Sequence, residues 1–535
     1  MKFMYGLHYK KIFKALFDPS WNQGTLKLKL FHSCLLFTWL TIVIVAVIHH
    51  EYWRDEVRAL SLALDAPMWW NIPGFIKNEG HPALWYWLLR GAHSIFGIKL
   101  TLPILSITIS TLAVGLFIFN APFNNAIKIF FTFSILPLYE YSVMSRNYGI
   151  SMLLMFCIAS LYKMRREHFF LLAICIALLA NTNLSALIAS ASLTLILLWD
   201  SLIEDQSDLR GREGVIIFSG IGLIIAAILF ALVTIKPDDN TLLTNAHHIK
   251  SPAEYWASIR PALTHSGTAL KTIMPIQSDM SNRLIAEILI WIMIAGLLFK
   301  PIAAISLYLA VFITAFITYF SYPLALRHHG IILCLILTLY WIGEFSETRN
   351  LSAIKKTLKN MALVAAIPLV LLWNDGKAYT ILKNDYKNEA SSSKALGQWI
   401  NQHAEYQNSI LIVEPDYIFE SIPYYANIKL FIPREEIFRQ YGKSTKEQKQ
   451  TLTLGELLNQ AKNLSSQKNK PILIGLGISP MELKNEKYKN FPYGRVFSWT
   501  KKDLKDLNES TQFVGSFDNT YSDEKFYIYA LKKPN

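Results

Sequence analysis

Asp55 and Glu56 stand side by side in the segment Glu-Tyr-Trp-Arg-Asp-Glu-Val-Arg at 51–58, a few residues past the first long apolar run. A carboxylate fixed there offers a base at the water interface, where a lipid-borne substrate could meet it. A solvated acidic pair capping an interfacial helix is the plainer reading of the same residues. Other unusual polar residues follow: Glu79 and His81 ahead of Trp85, Tyr86 and Trp87; Glu140 and Arg146; Asn181 and Asn183; and the run Arg327-His328-His329.

The elements that must position these groups are membrane spans. Of 535 residues, 52% are hydrophobic, 13% aromatic and only 17% charged, the composition of a polytopic membrane protein. Residues 30–49 are mostly apolar and, as a helix rising about 1.5 Å per residue, match a hydrocarbon core of roughly 30 Å. Lys2, Lys10, Lys11, Lys14, Lys27 and Lys29 precede this run and no small-x-small cleavage site follows, so it reads as a signal anchor with a cytoplasmic N-terminus. Further apolar runs lie near 100–119, 127–141, 146–162, 169–182, 184–200, 215–235, 283–299, 302–321, 329–344 and 360–373. The stretch 82–96 is short and interrupted by Arg90, and reads as a juxtamembrane or half-inserted helix.

The expected fold is therefore a multi-spanning α-helical membrane protein with about 11 transmembrane helices and a C-terminal extracytoplasmic α/β domain. Its divisions are a basic N-terminus at 1–29, a transmembrane domain at 30–374 with a first extracytoplasmic loop at 50–99, and the α/β domain at 375–535. This count puts the basic loops at 163–166 and 349–359 in the cytoplasm, as the positive-inside rule requires. After the first span, Trp53, Val57, Leu60 and Leu64 share one helical face while Glu51, Asp55, Arg58 and Asp65 line another, the pattern of a helix lying in the interface. Trp69 and Trp70 add aromatics at headgroup depth. On this topology Asp55, Glu56, Glu79, His81, Glu140, Arg146, Asn181, Asn183, His247, His248, Arg327, His328 and His329 gather on the extracytoplasmic side, which argues for a shared site.

Composition also excludes. The net charge of +13 is spread over short loops and the C-terminal region, so topology accounts for it better than nucleic acid does. Cys34, Cys157, Cys175 and Cys334 all lie in apolar runs without metal-ligand spacing and read as packing residues. Beyond 374 the short β-rich runs 409–414, 429–432, 471–475, 495–499 and 525–531 alternate with helical stretches near 390–404 and 452–466, with no phosphate loop or metal motif. A scaffold or acceptor-docking domain fits that pattern better than a second active site.

Taken together, Arg54-Asp-Glu56, the Gly-His-Pro-Ala-Leu-Trp-Tyr-Trp-Leu run at 80–88, the segment 139–148, Asn181-Thr-Asn183 and Leu326-Arg-His-His-Gly330 resemble the GT-C glycosyltransferases. The likeness is to bacterial family-39-like, protein-mannosyltransferase-type and RgtA/B/C/D-like enzymes, and it covers most of residues 30–345. It implies an inverting transfer of a sugar from a polyprenyl-phosphate donor to a lipid, glycan or protein acceptor of the envelope, such as lipid A or the lipopolysaccharide core, on the outer face of a bacterial inner membrane. By the same resemblance Asp55 is the general base, and Glu56 orients the acceptor or the loop. Arg54 and Arg58 stand close enough in sequence to hold Asp55 ionised and to contact substrate. A lipid phosphate leaving group gains charge as the glycosidic bond breaks, and Arg146, His81, Arg327 and His328 are the candidates to meet it. His81 departs from the family, where many members carry Lys before Pro. A neutral imidazole donates only one hydrogen bond, so a phosphate contact there would depend on pH.

Glu79 and Glu140 could bind sugar hydroxyls or a divalent cation, although no complete ligand set is visible and no metal is assigned. Trp85 and Tyr86 would stack on a sugar or line a lipid groove, with interfacial anchoring as the competing role. Asn183 is a further substrate candidate against plain helix–helix hydrogen bonding, and His247, His248 and His265 read as a solvated loop. Two rival functions stay open. An O-antigen ligase or polysaccharide polymerase would depend on Arg260 and His265, and a transporter or flippase of lipid-linked sugars would want ionisable residues at the bilayer midplane.

Overall fold

Backbone amides in hydrocarbon have no water to bond, so apolar runs fold as helices that satisfy themselves. The computed structural model describes residues 25–207, 210–238, 240–242, 280–320, 325–345, 352–374, 377–387, 390–443 and 445–532. Helix α1 (Leu26–His49) is the first apolar run, and the amphipathic α2 (Arg54–Asp65) follows a short extended stretch. Helix α3 (Leu84–Asn120) is kinked at Gly97, whose φ of +70° suits glycine, so the stretch at 84–96 is a segment apart from the span after it. The bundle continues through α4 (Asn125–Thr132), α5 (Tyr148–Leu161), α6 (Phe169–Ala180), α7 (Leu184–Trp199), α8 (Arg212–Ile235), α9 (Met280–Gly296), α10 (Pro301–Phe320), α11 (Leu326–Gly343) and α12 (Ala353–Asn374).

The protein is a multi-pass membrane protein. Among the described residues, five helical elements are long and apolar enough to cross a bilayer, and shorter apolar helices pack beside them. Their exposure separates axis from wall. In α11, 83% of the apolar window is buried, against 22% in α8, which turns Phe218, Leu229 and Val233 outward. Helix α11 therefore forms the middle of the bundle, and α8 presents an apolar face suited to lipid.

One expected run differs. The stretch 127–141 is not one helix but α4, a π-helical turn at Leu136–Glu140 and a loop leading to α5. Pro137, early in that turn, cannot donate a backbone hydrogen bond, which favours the break. The loop is then drawn against α11, where Tyr141 donates its hydroxyl proton to the Arg327 carbonyl at 2.7 Å. Gly330 makes that approach possible, since a Cβ there would lie 2.5 Å from Leu136 Cδ2 and from the Tyr141 hydroxyl.

The polar C-terminal part begins with α13 (Lys377–Lys387) and α14 (Ser393–Gln402) and then forms two sheets. The strands are β1 (Ile410–Glu414), β2 (Lys429–Ile432), β3 (Ile437–Phe438), β4 (Thr451–Thr453), β5 (Ile472–Leu476), β6 (Tyr488–Phe491), β7 (Arg495–Ser498), β8 (Thr511–Phe517) and β9 (Phe526–Leu531). The larger sheet runs β3-β2-β1-β5-β9-β8, with β1 parallel to β2 and β5 and the remaining pairs antiparallel. Alternation along β1 sends Ile410 and Ile412 to one core and Leu411 and Val413 to another, so both faces of the sheet are covered and the strand is apolar up to its last residue, Glu414, which is buried on Arg434.

Gly330→Val should force the 136–141 turn away from α11 and lower stability by about 1–3 kcal/mol, read as thermal unfolding in detergent. Gly222→Val, in a place with no atom within 4 Å, is the control and should change stability by no more than about 0.5 kcal/mol.

Candidate functional site

Helix α2 sets the site. Consecutive helical residues point roughly 100° apart, so adjacent Asp55 and Glu56 cannot face the same surroundings. Glu56 is fully buried and turns back into the protein, where its Oε1 accepts the Ser145 amide at 2.6 Å and its Oε2 meets His50 Nε2 at 3.0 Å. It also accepts a longer bond from the Trp53 amide at 3.4 Å, tying off the first turn of the helix. Asp55 faces the other way, its side chain 31% exposed, into a cavity of about 1170 Å³ between the bundle and the α/β domain.

Two guanidinium groups flank Asp55. Arg146 Nη1 pairs with its Oδ2, and Arg327 Nη2 lies 3.6 Å from the same oxygen. Burial works against the charge on Asp55, but Arg146, then Arg327 and Arg54, outweigh it and hold the carboxyl down at about 2. The same arginines act on His81. Burial and then the two positive charges press its imidazole down to about 3, so it stands neutral beside the cavity. Left-handed backbone at Asn78 and Gly80, φ +72° and +70°, shapes the loop that delivers it. Its Nδ1, with Arg327 Nε and Glu140 Oε2, has no hydrogen-bond partner among the described residues.

The structure redistributes several expected roles. Arg58 does not reach Asp55; it forks onto Glu79 at 2.9 and 2.8 Å and bonds Glu420 at 2.6 Å and the Gly442 carbonyl at 2.9 Å. Arg54 bonds Asp523 at 2.7 and 3.1 Å, while its amide donates to Glu524. Both arginines and Glu79 line the cavity, but their hydrogen-bonding groups are engaged in joining α2 to its surroundings rather than presented to a substrate. His328 also lines it, yet Nδ1 accepts the Ala325 amide at 3.0 Å, which leaves Nε2–H to donate to the Tyr148 hydroxyl at 2.9 Å. That tautomer is neutral, and its ring caps the start of α11.

Glu56, Glu140 and Asn183 are not on the cavity wall. Asn183 caps α7 through Oδ1, which accepts from Ala186 at 2.9 Å, and its Nδ2 donates to Ser151 Oγ at 2.8 Å. Its capping role was legible, because Asn ahead of an apolar run is a helix-start signal. Trp85 and Tyr86 do line the cavity, though they are almost wholly buried. Asn147, Tyr417, Glu420 and Tyr441 line it as well and were not picked out from sequence. Among the described residues no group of three or more His, Cys, Asp or Glu side chains could hold a metal. His247, His248, Arg260 and His265 lie outside the described residues.

No protein-family model matches this chain, and no curated protein sequence does. Among solved structures it is similar to ArnT from Cupriavidus metallidurans in the apo state, at 10% identity and a TM-score of 0.49, over 93% of this chain and 97% of that one. The same protein bound to undecaprenyl phosphate gives 10% identity and a TM-score of 0.47 over the same shares.

The charge states at the site make a pH prediction. A depressed carboxyl contributes its pairing energy above the ordinary carboxylate range and loses it only as pH falls through its lowered value, and His81 stays neutral until about 3. Neither group changes charge in the folded protein between about pH 5 and 8, but the unfolded chain takes up a proton on His81 near 6.5, so this group disfavours folding as pH falls below that value. Wild type should therefore lose thermal stability relative to His81→Gln as pH falls from about 7 to about 5. Parallel curves across that window would mean that His81 titrates near its ordinary value in the folded protein.

Proposed function

We propose that the protein is an integral-membrane, inverting glycosyltransferase that moves a sugar from a polyprenyl-phosphate donor to an envelope acceptor at the outer face of a bacterial inner membrane. The observation that carries this reading is one carboxylate, Asp55, set between two guanidinium groups at the mouth of a cavity where membrane helices meet a polar domain. A base and a phosphate clamp are the two parts that such a transfer needs.

In this reading the acceptor hydroxyl attacks the anomeric carbon from the face opposite the phosphate. Asp55 takes the hydroxyl proton, the bond between the anomeric carbon and the phosphate oxygen breaks, and polyprenyl phosphate leaves with the electron pair. Arg146 and Arg327 meet the charge that builds on the phosphate. Glu56 acts at one remove by holding the Ser145 amide, and so the turn that carries Arg146.

Donor binding would also tune the base. Asp55 now shares its charge with both arginines; once a phosphate draws those guanidiniums toward itself, the carboxylate regains proton affinity. The candidate base is weak while the site is empty of donor and strengthens when transfer can occur. His81, neutral and with an unpartnered Nδ1, serves as a single hydrogen-bond partner for the sugar or phosphate rather than as a cation. Arg54, Arg58, Glu79, Trp85 and Tyr86 line the same cavity and would frame the bound donor and acceptor.

Asp55→Asn should insert and bind donor normally yet lose transfer by about 10²–10⁴-fold. Mass spectrometry of envelope glycans and lipids, in cells lacking the protein and restored with wild type or Asp55→Asn, reads this directly. A sugar lost in the deletion and the variant alike would name the product; full restoration by Asp55→Asn would remove Asp55 as the base.

A further inference from the structure

A second ionic cluster lies behind the site and outside the reaction described above. His50, just after α1, is buried between two carboxylates, with Nε2 3.0 Å from Glu56 Oε2 and Nδ1 2.8 Å from Asp385 Oδ2. Asp385 belongs to α13, the first helix of the polar part, and lies 335 residues from His50 in the chain. It also accepts the hydroxyl proton of Tyr139, at 2.7 Å, and that of Tyr521. Glu56, at the other end, accepts the amide of Ser145 at 2.6 Å.

Tyr139 and Ser145 bracket the loop that ends in Arg146. The contacts thus close a ring, from His50 through Glu56 to Ser145, along the loop to Tyr139, and back through Asp385. We infer that His50 is a positioning residue: by bridging Glu56 and Asp385, it couples the seating of the α/β domain to the turn that presents Arg146 to Asp55. The coupling stands on these contacts, and only its consequence for transfer rests on the glycosyltransferase reading.

The choice of histidine follows from its geometry. An imidazolium donates from both ring nitrogens in fixed, divergent directions, whereas a neutral ring would turn a lone pair toward one of the carboxylates. Burial opposes the charged form, but Glu56 and Asp385 overcome that and raise His50 to about 10. The bridge therefore keeps its charge across the ordinary range of pH. Tyr52 and Tyr139, whose rings meet the imidazole edge-on at 5.2 and 6.0 Å, wall it off.

The test uses the full-length protein in nanodiscs and reads hydrogen exchange in peptides covering 139–147. His50→Gln should speed exchange there by about tenfold or more while leaving peptides over β5 unchanged. In the cell-based transfer assay, the initial rate of product appearance should fall about 10–100-fold in wild-type background. In an Arg146→Lys background the same change should cost less than about twofold further, since both act through one group. Unchanged exchange in 139–147 would overturn the inference, as would losses that multiply in the double variant. If His50→Gln loses protection throughout the chain, Asp385→Asn decides: faster exchange confined to 139–147 upholds the coupling, and none overturns it. A wild type that transfers no sugar would defeat the glycosyltransferase reading alone, because the exchange measurement still reports on the ring.

Discussion

The structure depends on one constraint: charges taken out of water must be paired, and α2 is where the pairing is done. This short amphipathic helix sits between an apolar bundle and a polar domain and sends an ion pair or hydrogen bond to each. Glu56 reaches His50 and Ser145 in the membrane part, Arg58 joins Glu79 to Glu420, and Arg54 reaches Asp523 and Glu524. Removing one partner of a buried pair leaves an uncompensated charge, at a cost of about 3–5 kcal/mol, whereas an exposed pair contributes about 0–1. By that measure the Glu56–His50–Asp385 contacts lock the helix in place, and Arg54–Asp523, with Asp523 more than half exposed, contributes little beyond orientation.

Saturation of these groups sets Asp55 and its two arginines apart from the rest of the cavity. The cavity is lined by many charged side chains, but Arg58, Glu79 and Glu420 satisfy one another, and Arg439 pairs with Glu435. Asp55, Arg146 and Arg327 differ, because one carboxylate serves two guanidiniums and one of those contacts is long. An incoming anion can exchange with that carboxylate without leaving a buried charge alone. The α/β domain enters the same argument, for the carboxyl end of β1 leads into Tyr417 and Glu420, and these close the cavity over α2.

The sequence disclosed most of the apolar helices, the amphipathic helix after the first of them and the placing of Asp55 on its polar face, because each is written in local order: run length, helical spacing and an acidic pair after a long apolar run. Local order misled over Arg58, which reads as a partner of Asp55 because it is near in sequence yet pairs with Glu79 and Glu420. Arg54 helps hold Asp55 ionised as expected, but its hydrogen bonds go to Asp523, hundreds of residues away. The helix turns adjacent Asp55 and Glu56 apart, Asp55 onto the cavity and Glu56 onto the turn at Ser145. Nothing in the composition around Asp385 or Glu420 marks them, since a carboxylate's use is decided by what the fold brings to it. The break of the 127–141 run was half visible in Pro137, but apolar content outweighed it.

Charge balance joins these observations to the proposed reaction. Before transfer, the two guanidinium charges would face one carboxylate and the single charge of a sugar phosphodiester. After it, the proton taken from the acceptor has neutralised Asp55, and the leaving polyprenyl phosphate carries a second charge. On the proposed reaction the cluster would be neutral in both states, so a site partly shielded from water would hold no net charge through the step, and the energy otherwise spent on reorganising solvent would be avoided. A second free carboxylate at the cavity, or a charged His81, would spoil that balance. The burial of Glu56 against His50, and the suppression of His81 by burial and then by Arg146 and Arg327, would keep the charge count of the site at the value the proposed transfer needs.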